Sequence, residues 1–188
     1  MTRIVAGTAK GRQLAVPAQG TRPTSAKVRE ALFSMLESWN LVRERRVLDL
    51  FAGSGALAFE AFSRGASEIT LVDKSRGAQK VLAQNARTVG ASSARIVAGS
   101  AQAFVRSARA TFDLVFVDPP YAWPEPDLTD LLADLLGLLD PDGLIVVERD
   151  ARSPQPSLPA GLELEAERSW GDTRAYLIGR PPADPDAD

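Results

Sequence analysis

The stretch Arg46–Gly55, RVLDLFAGSG, decides the fold of this chain. Its first half is an apolar run of strand-forming residues, and it leads through glycines into the helical pattern of GALAFEAFSRG. Glycine allows a ligand to approach the backbone closely, and the N-terminus of the helix offers N–H donors that have no partner within the helix. The stretch therefore predicts the first βα unit of a ligand-binding α/β domain.

Strand and helix patterns alternate after this stretch. The predicted strands are RVLDLFA, SEITLVD, ARIVAG, FDLVFVD and GLIVVER, with helices beginning near Gly55, Arg76, Ser100 and Leu128. This order predicts a Rossmann-like, mostly parallel sheet with helices on both faces. LELEAERSW and RAYLIG follow each other without a helix between them and predict a C-terminal antiparallel pair, which gives seven strands.

The segment before this body has a different charge. Residues 1–46 carry nine Lys or Arg and three Asp or Glu, whereas the other 142 residues carry 13 and 21. The runs RIVAG and RQLAVP predict a basic β-hairpin over residues 1–20, followed by a helix that Thr24 can cap. An isolated hairpin is marginal in water, so we expect it to dock on the body or on a ligand. Its charge fits a surface that faces nucleic acid, and equally a set of solvated charges.

Composition excludes several kinds of chemistry. The 188 residues include no cysteine and no histidine, which excludes disulfides, thiolate zinc sites, cysteine nucleophiles and Ser-His-Asp triads. No apolar run approaches the roughly 20 residues of a membrane span, and the N-terminus lacks a signal-peptide pattern. We therefore expect a cytoplasmic protein with no membrane contact, a main domain over residues 21–180 and a disordered tail over residues 181–188.

Two acids are placed to bind a ligand at the glycine turn. Asp49 lies at the mouth of the loop, and the next strand ends at Asp73, 20 residues beyond Gly53, where a carboxylate can bind ribose hydroxyls. GSGALA also fits the G-x-G-x-x-A dinucleotide fingerprint, so the loop alone leaves NAD and S-adenosylmethionine equally open. Asp49 favours S-adenosylmethionine, because a carboxylate suits an ammonium group better than a pyrophosphate.

The fourth predicted strand ends in Asp118-Pro119-Pro120-Tyr121. Proline fixes φ and removes an N–H donor, so two in succession form a rigid turn whose carbonyls remain free as acceptors. The Asp118 carboxylate and such a carbonyl can accept both hydrogens of an exocyclic amine and direct its lone pair at an electrophile. Tyr121 offers a flat face on which a flipped-out base can stack, and Trp123 is a further candidate for the wall of the base pocket.

Together these residues resemble the class I S-adenosylmethionine-dependent methyltransferases that modify exocyclic amino groups. Three further stretches narrow the resemblance to the bacterial 16S rRNA guanine-N2 methyltransferases over roughly residues 3–179: Arg3–Gly7 with Lys10–Arg12, Arg22–Thr24 with Val28–Phe33, and Gly171–Thr173. The resemblance implies methyl transfer from S-adenosylmethionine to N2 of guanine 966 in small-subunit rRNA. The substrate would be an assembled or partly assembled 30S particle, and we expect a monomer that needs no metal.

The resemblance also implies roles for individual residues. The catalytic residues, which would hold the guanine, are Asp118, Pro119, Pro120 and Tyr121. The cofactor-binding residues are Asp49, Phe51, Gly53, Gly55, Asp73, Ser100, Thr24 and Arg22. Ser100 stands where many class I methyltransferases have an acid that binds the adenine amine, so the adenine contact departs from the common pattern. The RNA-binding residues, on the hairpin, are Arg3, Lys10 and Arg12.

Other functions stay open at this stage. An N6-adenine DNA methyltransferase could use the same Asp-Pro-Pro-Tyr turn, although we expect no domain for reading a duplex in a chain of this length. A non-catalytic rRNA-binding assembly factor could retain the cofactor fold, and it would bind rRNA without transferring a methyl group. An NAD-dependent oxidoreductase is the third alternative, and cofactor binding would distinguish it.

Overall fold

A computed structural model describes residues 2–18, 25–120 and 123–182 of the chain. The strands are β1 (Thr2–Arg3), β2 (Gln13–Leu14), β3 (Arg46–Leu50), β4 (Glu68–Asp73), β5 (Arg95–Ala98), β6 (Phe112–Val117), β7 (Leu139–Asp150), β8 (Glu163–Trp170) and β9 (Thr173–Gly179). The helices are α1 (Ala26–Ser38), α2 (Ala56–Ser63), α3 (Arg76–Val89), α4 (Ala101–Ser107) and α5 (Glu125–Leu135). The predictions for Arg22, Thr24, Tyr121 and most of the tail concern positions outside the described residues.

The main sheet has seven strands in the order β5-β4-β3-β6-β7-β9-β8. The strands from β5 to β7 pair in parallel, whereas β9 pairs antiparallel with both β7 and β8. This arrangement confirms the predicted α/β, Rossmann-like sheet and its C-terminal antiparallel pair. The chain order reverses at β3, which lies between β4 and β6, and a crevice opens beyond the carboxyl ends of strands at such a point.

The core has two layers because alternate residues of the central strands face opposite sides of the sheet. On one side, Val47 and Phe116 pack with side chains of α1, α2 and α3. On the other side, Leu48 and Val115 pack with α4 and α5. Helices therefore cover both faces, as the sequence predicts, and the buried central strands hold the edge of the crevice rigidly. None of the described helices is long and apolar enough to cross a membrane.

Two predicted helices differ from the structure at their ends. The cap of α1 is Ser25 rather than Thr24: its hydroxyl accepts a hydrogen bond from the Val28 N–H at 3.2 Å, which is the usual reach from an N-cap to the third helical residue. Helix α5 begins at Glu125 instead of Leu128, because proline is well tolerated in a first turn and acids there complement the helix dipole. It also ends at Leu135, before the predicted end of the apolar pattern.

The N-terminal hairpin is docked on the body, as expected from its size. Only Thr2↔Leu14 and Arg3↔Gln13 pair as strand residues, so the strands are shorter than the sequence predicts. The Glu60 carboxylate on α2 accepts hydrogen bonds from the Val5 and Ala6 N–H groups at 2.8 and 3.0 Å. Further along α2, the Ser63 hydroxyl accepts from the Ala9 N–H at 2.9 Å.

The Glu60 carboxylate is also the centre of a buried group of charges. Arg64 donates to it from Nε at 2.9 Å, and the Arg29 Nε lies 3.9 Å from it; the Arg29 and Glu60 side chains are both completely buried. Arg64 reaches a second carboxylate, Glu37, at 2.7 Å, and this one is 44% exposed. The hairpin backbone and two arginines thus depend on one buried carboxylate, whereas Glu37 contributes from the surface.

Replacing Glu60 is therefore expected to lower the free energy of unfolding much more than replacing the exposed Glu37. Glu60→Ala leaves two hairpin N–H groups without their acceptor and removes the buried carboxylate beside the Arg29 and Arg64 guanidinium groups, and we expect a loss of about 3–5 kcal/mol in the free energy of unfolding. Glu37→Ala removes a surface partner of the same arginine and should cost no more than about 1 kcal/mol. Urea titration of both variants measures the difference. Equal losses would contradict the assignment of Glu60 as the hairpin anchor.

Candidate functional site

A cavity of about 330 Å³ lies at the carboxyl edge of the sheet, where β3, β4 and β6 end. Its size falls in the range of small-molecule sites. Seven of the predicted site residues line it, namely Asp49, Phe51, Gly53, Asp73, Ser100, Asp118 and Pro120. Gly55 and Pro119 are not in its wall, although each directly precedes or follows residues that are.

The two predicted loop glycines have different structural roles. Both have left-handed backbones, with φ of 55° at Gly53 and 74° at Gly55, which disfavours any other residue. A Cβ on Gly55 would lie 2.4 Å from the Phe59 ring, so this glycine lets α2 pack against the loop. A Cβ on Gly53 would meet only the Phe51 carbonyl oxygen, at 3.9 Å. Gly53 therefore leaves open space on the cavity side.

The carboxylate of Asp73 fixes the glycine loop as well as facing the cavity. One of its oxygens accepts from the Gly53 N–H at 2.9 Å, and the other accepts from the Ser75 N–H at 2.7 Å. A carboxylate has about four lone-pair sites, so two acceptor positions remain for a ligand. The sequence predicts the ligand contact, but it does not reveal that the same side chain connects β4 to the loop after β3.

Asp49 is a buried acid at the bottom of the site. Its side chain accepts a hydrogen bond from the Ala58 N–H in the first turn of α2, at 3.3 Å, and only 2% of the residue is exposed. The pKa of Asp49 is raised to about 7, mainly by burial and to a lesser extent by the nearby carboxylates of Asp73 and Glu148, against the lowering effect of the Ala58 hydrogen bond. A cationic ligand group would favour the ionised form of this acid.

Asp118 is a second acid held near Asp49. It is partly withdrawn from solvent at the end of β6, and its pKa is raised well above the ordinary value by burial and by the carboxylates of Glu148 and Asp49. Glu148 was not predicted as a site residue. Its position becomes evident only from the strand register: Val147 of β7 pairs with Val117 of β6, which places the following residues Glu148 and Asp118 at the same edge. Three carboxyl groups, those of Asp49, Asp118 and Glu148, therefore lie near one another at this edge.

Aromatic side chains connect the glycine loop to the Asp-Pro-Pro turn. The rings of Phe51 and Trp123 meet edge to face, with centroids 4.5 Å apart, and Phe51 has an unusual φ of 66° for a non-glycine residue. The Trp123 backbone N–H donates to the Pro120 carbonyl at 2.9 Å. Trp123 lines the same cavity as the acids, so this aromatic pair forms part of its wall.

The far wall of the cavity follows β5. Ser100 is the N-cap of α4, and its hydroxyl accepts from the Ala103 N–H at 3.2 Å, so part of its bonding capacity is used within the helix. Gln102 also lines this wall and brings a side-chain amide that can both donate and accept. No sequence motif marks Gln102, so it is not among the predicted site residues.

The predicted RNA-binding residues lie outside the cavity. Arg3, Lys10 and Arg12 are exposed on the docked hairpin. The hairpin nevertheless reaches the site, because Val16 and Pro17, which follow β2, form part of the cavity wall. The structure thus brings the acids, the glycine loop and the proline turn together and places the basic hairpin beside them.

Comparison with known proteins identifies the relatives of this fold and site. The model of the family described as conserved hypothetical protein 95 matches residues 2–179. Ribosomal RNA small subunit methyltransferase D of Escherichia coli is 37% identical over 179 residues, which cover 95% of this chain and 89% of that protein. The protein of the same name in Haemophilus influenzae is 36% identical over 177 residues, or 90% of this chain and 89% of that protein.

Solved structures agree with these matches. A hypothetical protein of Thermus thermophilus superposes with a TM-score of 0.83 at 35% identity, over 95% of this chain and 99% of that chain. The resemblance to bacterial rRNA methyltransferases that the sequence motifs indicate is confirmed by matches of this length. The chain therefore belongs to the conserved hypothetical protein 95 family and is a homologue of the ribosomal RNA small subunit methyltransferases D.

Proposed function

We propose that this protein transfers a methyl group from S-adenosylmethionine to the exocyclic N2 of a guanine in small-subunit rRNA, guanine 966 by the family resemblance. The observation that carries the proposal is the single cavity wall shared by Asp49, Asp73 and Asp118, in a chain whose relatives are named rRNA methyltransferases. We further propose that the substrate is an assembled or partly assembled small subunit and that the enzyme acts as a monomer without a metal.

The residues of the cavity fit S-adenosylmethionine. The buried Asp49 carboxylate suits the ammonium group of the methionine part, and the free acceptor positions of Asp73 suit two ribose hydroxyls. The open side of Gly53 admits the ligand next to the loop backbone. Arg22 and Thr24 are proposed at the entrance, and Ser100 at the adenine, with Gln102 beside it.

The proposed chemistry is direct transfer to a positioned amine. The cofactor supplies an electrophilic methyl group on a sulfonium centre when it is bound. Asp118 and the Pro119 carbonyl accept the two amine hydrogens and aim the nitrogen lone pair at this methyl group. Among the described residues no donor reaches the Pro119 carbonyl, whereas the Pro120 carbonyl already accepts from Trp123. Tyr121 is proposed to stack the flipped base.

The proton balance assigns a second task to Asp118. As the bond from N2 to the methyl carbon forms, the bond from sulfur to that carbon breaks, and N2 must lose one proton. Burial and the neighbouring carboxylates raise the pKa of Asp118 and make it a stronger base than an ordinary aspartate. Asp118, or a water molecule, is therefore the proposed acceptor of this proton.

A labelling experiment tests the reaction and the substrate together. Purified protein is incubated with methyl-labelled S-adenosylmethionine and small ribosomal subunits from a strain that lacks this activity, and the product is analysed as nucleosides. We expect label in N2-methylguanosine. Label in N6-methyladenine of added DNA would instead favour an adenine methyltransferase. Binding of subunits and cofactor with no label would favour an assembly factor and would refute the catalytic assignments.

Removal of the Asp118 carboxylate should slow methyl transfer strongly without lowering the stability of the fold. Asp118→Ala removes the amine acceptor, and we expect kcat to fall by about 10² or more. The same change relieves repulsion with Asp49 and Glu148, so the melting temperature should stay equal or rise. Asp142→Ala, which removes an exposed acid, is the matched control and should keep full activity. A folded Asp118→Ala protein with normal kcat would show that this carboxylate has no part in the reaction.

Cofactor binding should depend on pH through Asp49. Below its pKa of about 7, the ammonium group must displace a proton from this carboxyl, so the affinity for S-adenosylhomocysteine should fall up to about tenfold per pH unit as the pH is lowered. At alkaline pH the ligand amine itself loses its proton, so the affinity should reach its maximum above the pKa of Asp49. Calorimetric titration from about pH 5.5 to about pH 8.5 measures the decline on the acidic side of this profile.

Two controls isolate the effect of Asp49 on this profile. The ligand 5′-methylthioadenosine has no ammonium group and should bind with little dependence on pH. Asp49→Asn should bind S-adenosylhomocysteine more weakly and without the decline at acidic pH. A wild-type affinity that does not change between about pH 5.5 and the pKa of about 7 would contradict the proposed contact between Asp49 and the ammonium group.

A further inference from the structure

The solvent face of α3 carries a row of basic side chains that the proposed mechanism does not use. The helix has the sequence RGAQKVLAQNARTV, which contains three basic residues and no Asp or Glu. Arg76, Lys80 and Arg87 are all exposed. This row is called the α3 stripe below.

Helix geometry places the three cations in one line. At 3.6 residues per turn, they lie within an arc of about 40°, and the rise of 1.5 Å per residue spaces them by about 6 and about 10 Å along the axis. The buried residues of the helix are on the opposite side: Ala78, Leu82, Asn85 and Val89. The stripe is therefore the outer face of α3 and points away from the core.

The cations of the stripe have no carboxylate partner in the described part of the chain, unlike several arginines on the body. Within the described ranges, Arg76, Lys80 and Arg87 form no ion pair. By contrast, Arg46 lies 2.7 Å from Asp113 and Arg106 lies 2.9 Å from Asp134. The stripe thus retains its charge for a ligand outside the chain.

The stripe joins the cavity to the basic hairpin. At its first end, Lys74 and Ser75, directly before Arg76, line the cavity. At its other end, the Arg12 guanidinium of the hairpin donates to the Thr88 carbonyl at 3.1 Å, next to Arg87. Between them, Asn85 holds the hairpin backbone at Ala15 by two hydrogen bonds, of 2.8 and 2.9 Å. One continuous basic surface therefore runs from the cavity mouth along α3 to the hairpin.

We infer that the α3 stripe, together with Lys74 and Arg12, binds the phosphate backbone of the RNA whose target base enters the cavity. The inference rests on the proposed function for the identity of the ligand. A line of exposed cations without carboxylate partners matches a chain of phosphates. A protein partner is less well matched, because protein interfaces have an apolar centre. The stripe does not offer one: among the described residues, the exposed large hydrophobic side chain is Trp39, which lies at the end of α1.

A charge-neutral variant tests the inference. Arg76→Gln/Lys80→Gln/Arg87→Gln keeps three helix-compatible, exposed side chains and removes the charges. Binding of protein-free 16S rRNA is measured from about 0.05 to about 1 M KCl. Each lost phosphate contact reduces the slope of log K against log salt by about 0.7–0.9, so the slope should fall by about 2 to 3. The affinity should fall on the order of 10²-fold at about 0.1 M salt and converge with the wild type near about 1 M.

A matched control removes the same charge elsewhere. Arg43→Gln/Arg109→Gln/Arg168→Gln changes three exposed arginines outside the stripe, and it should keep the wild-type slope. Both variants should bind S-adenosylhomocysteine as the wild type does. With small subunits as substrate, the stripe variant should show a raised KM and an unchanged kcat, since the stripe does not contact the target base.

The outcomes separate this inference from the proposed function. Salt-dependent rRNA binding that weakens only in the stripe variant, without formation of N2-methylguanosine by the wild type, would support the docking surface and refute the proposed reaction. Methylation with an unchanged slope in the stripe variant would refute the docking surface alone, as would an absence of salt-dependent rRNA binding by the wild type. Weaker binding of subunits with normal binding of protein-free rRNA would assign the stripe to an acidic protein and overturn the inference.

Discussion

The parallel pairing of β3 with β4 on one side and β6 on the other is the constraint on which the rest of this molecule depends. Parallel strands end at the same edge, so residues that are far apart in sequence meet there. The pairing brings the loop after β3, the acid at the end of β4 and the Asp-Pro-Pro turn after β6 around one cavity. Because both faces of these strands are covered by helices, the edge is rigid, and its loops can present backbone groups and carboxylates in fixed positions.

The same edge concentrates negative charge, and this has a thermodynamic consequence. Asp49 and Asp118 are each raised in pKa by burial and by other carboxylates, so a site without ligand opposes their ionisation. A group whose pKa is higher in the folded state lowers stability as the pH rises from its unfolded pKa, near about 4, to its folded pKa. A cation in the cavity offsets this cost. The buried carboxyl groups therefore favour a positively charged ligand over a pyrophosphate, which is a physical reason to prefer a sulfonium cofactor to a dinucleotide.

Much of this site follows from sequence alone because the decisive contacts are local. The glycine turn, Asp73 and the Asp-Pro-Pro turn each occur directly after an apolar strand, and periodicity locates those strands. Other features depend on register and packing. Glu148 reaches the edge only through the alignment of β7 with β6, and the Asp73 hydrogen bond to Gly53 crosses between two strands. Ser25 caps α1, whereas the sequence predicts Thr24. Both residues carry a hydroxyl that can accept from a helix N–H, and only the backbone conformation determines which of them is the N-cap.

The basic hairpin shows how a segment too small to fold alone becomes part of a functional surface. Its backbone is held by buried polar groups of the body: Glu60 and Ser63 of α2, and Asn85 of α3. Asn85 also donates to the Ser54 carbonyl of the glycine loop at 2.8 Å, so one buried amide joins the hairpin, α3 and the glycine loop. A buried polar group left without its partners costs more than it contributes when satisfied, so these three elements are stable only in one relative arrangement. The cations on the hairpin and on α3 thereby keep a fixed distance from the cavity. A surface that binds the phosphate backbone of RNA needs this fixed distance if one particular base is to enter the cavity.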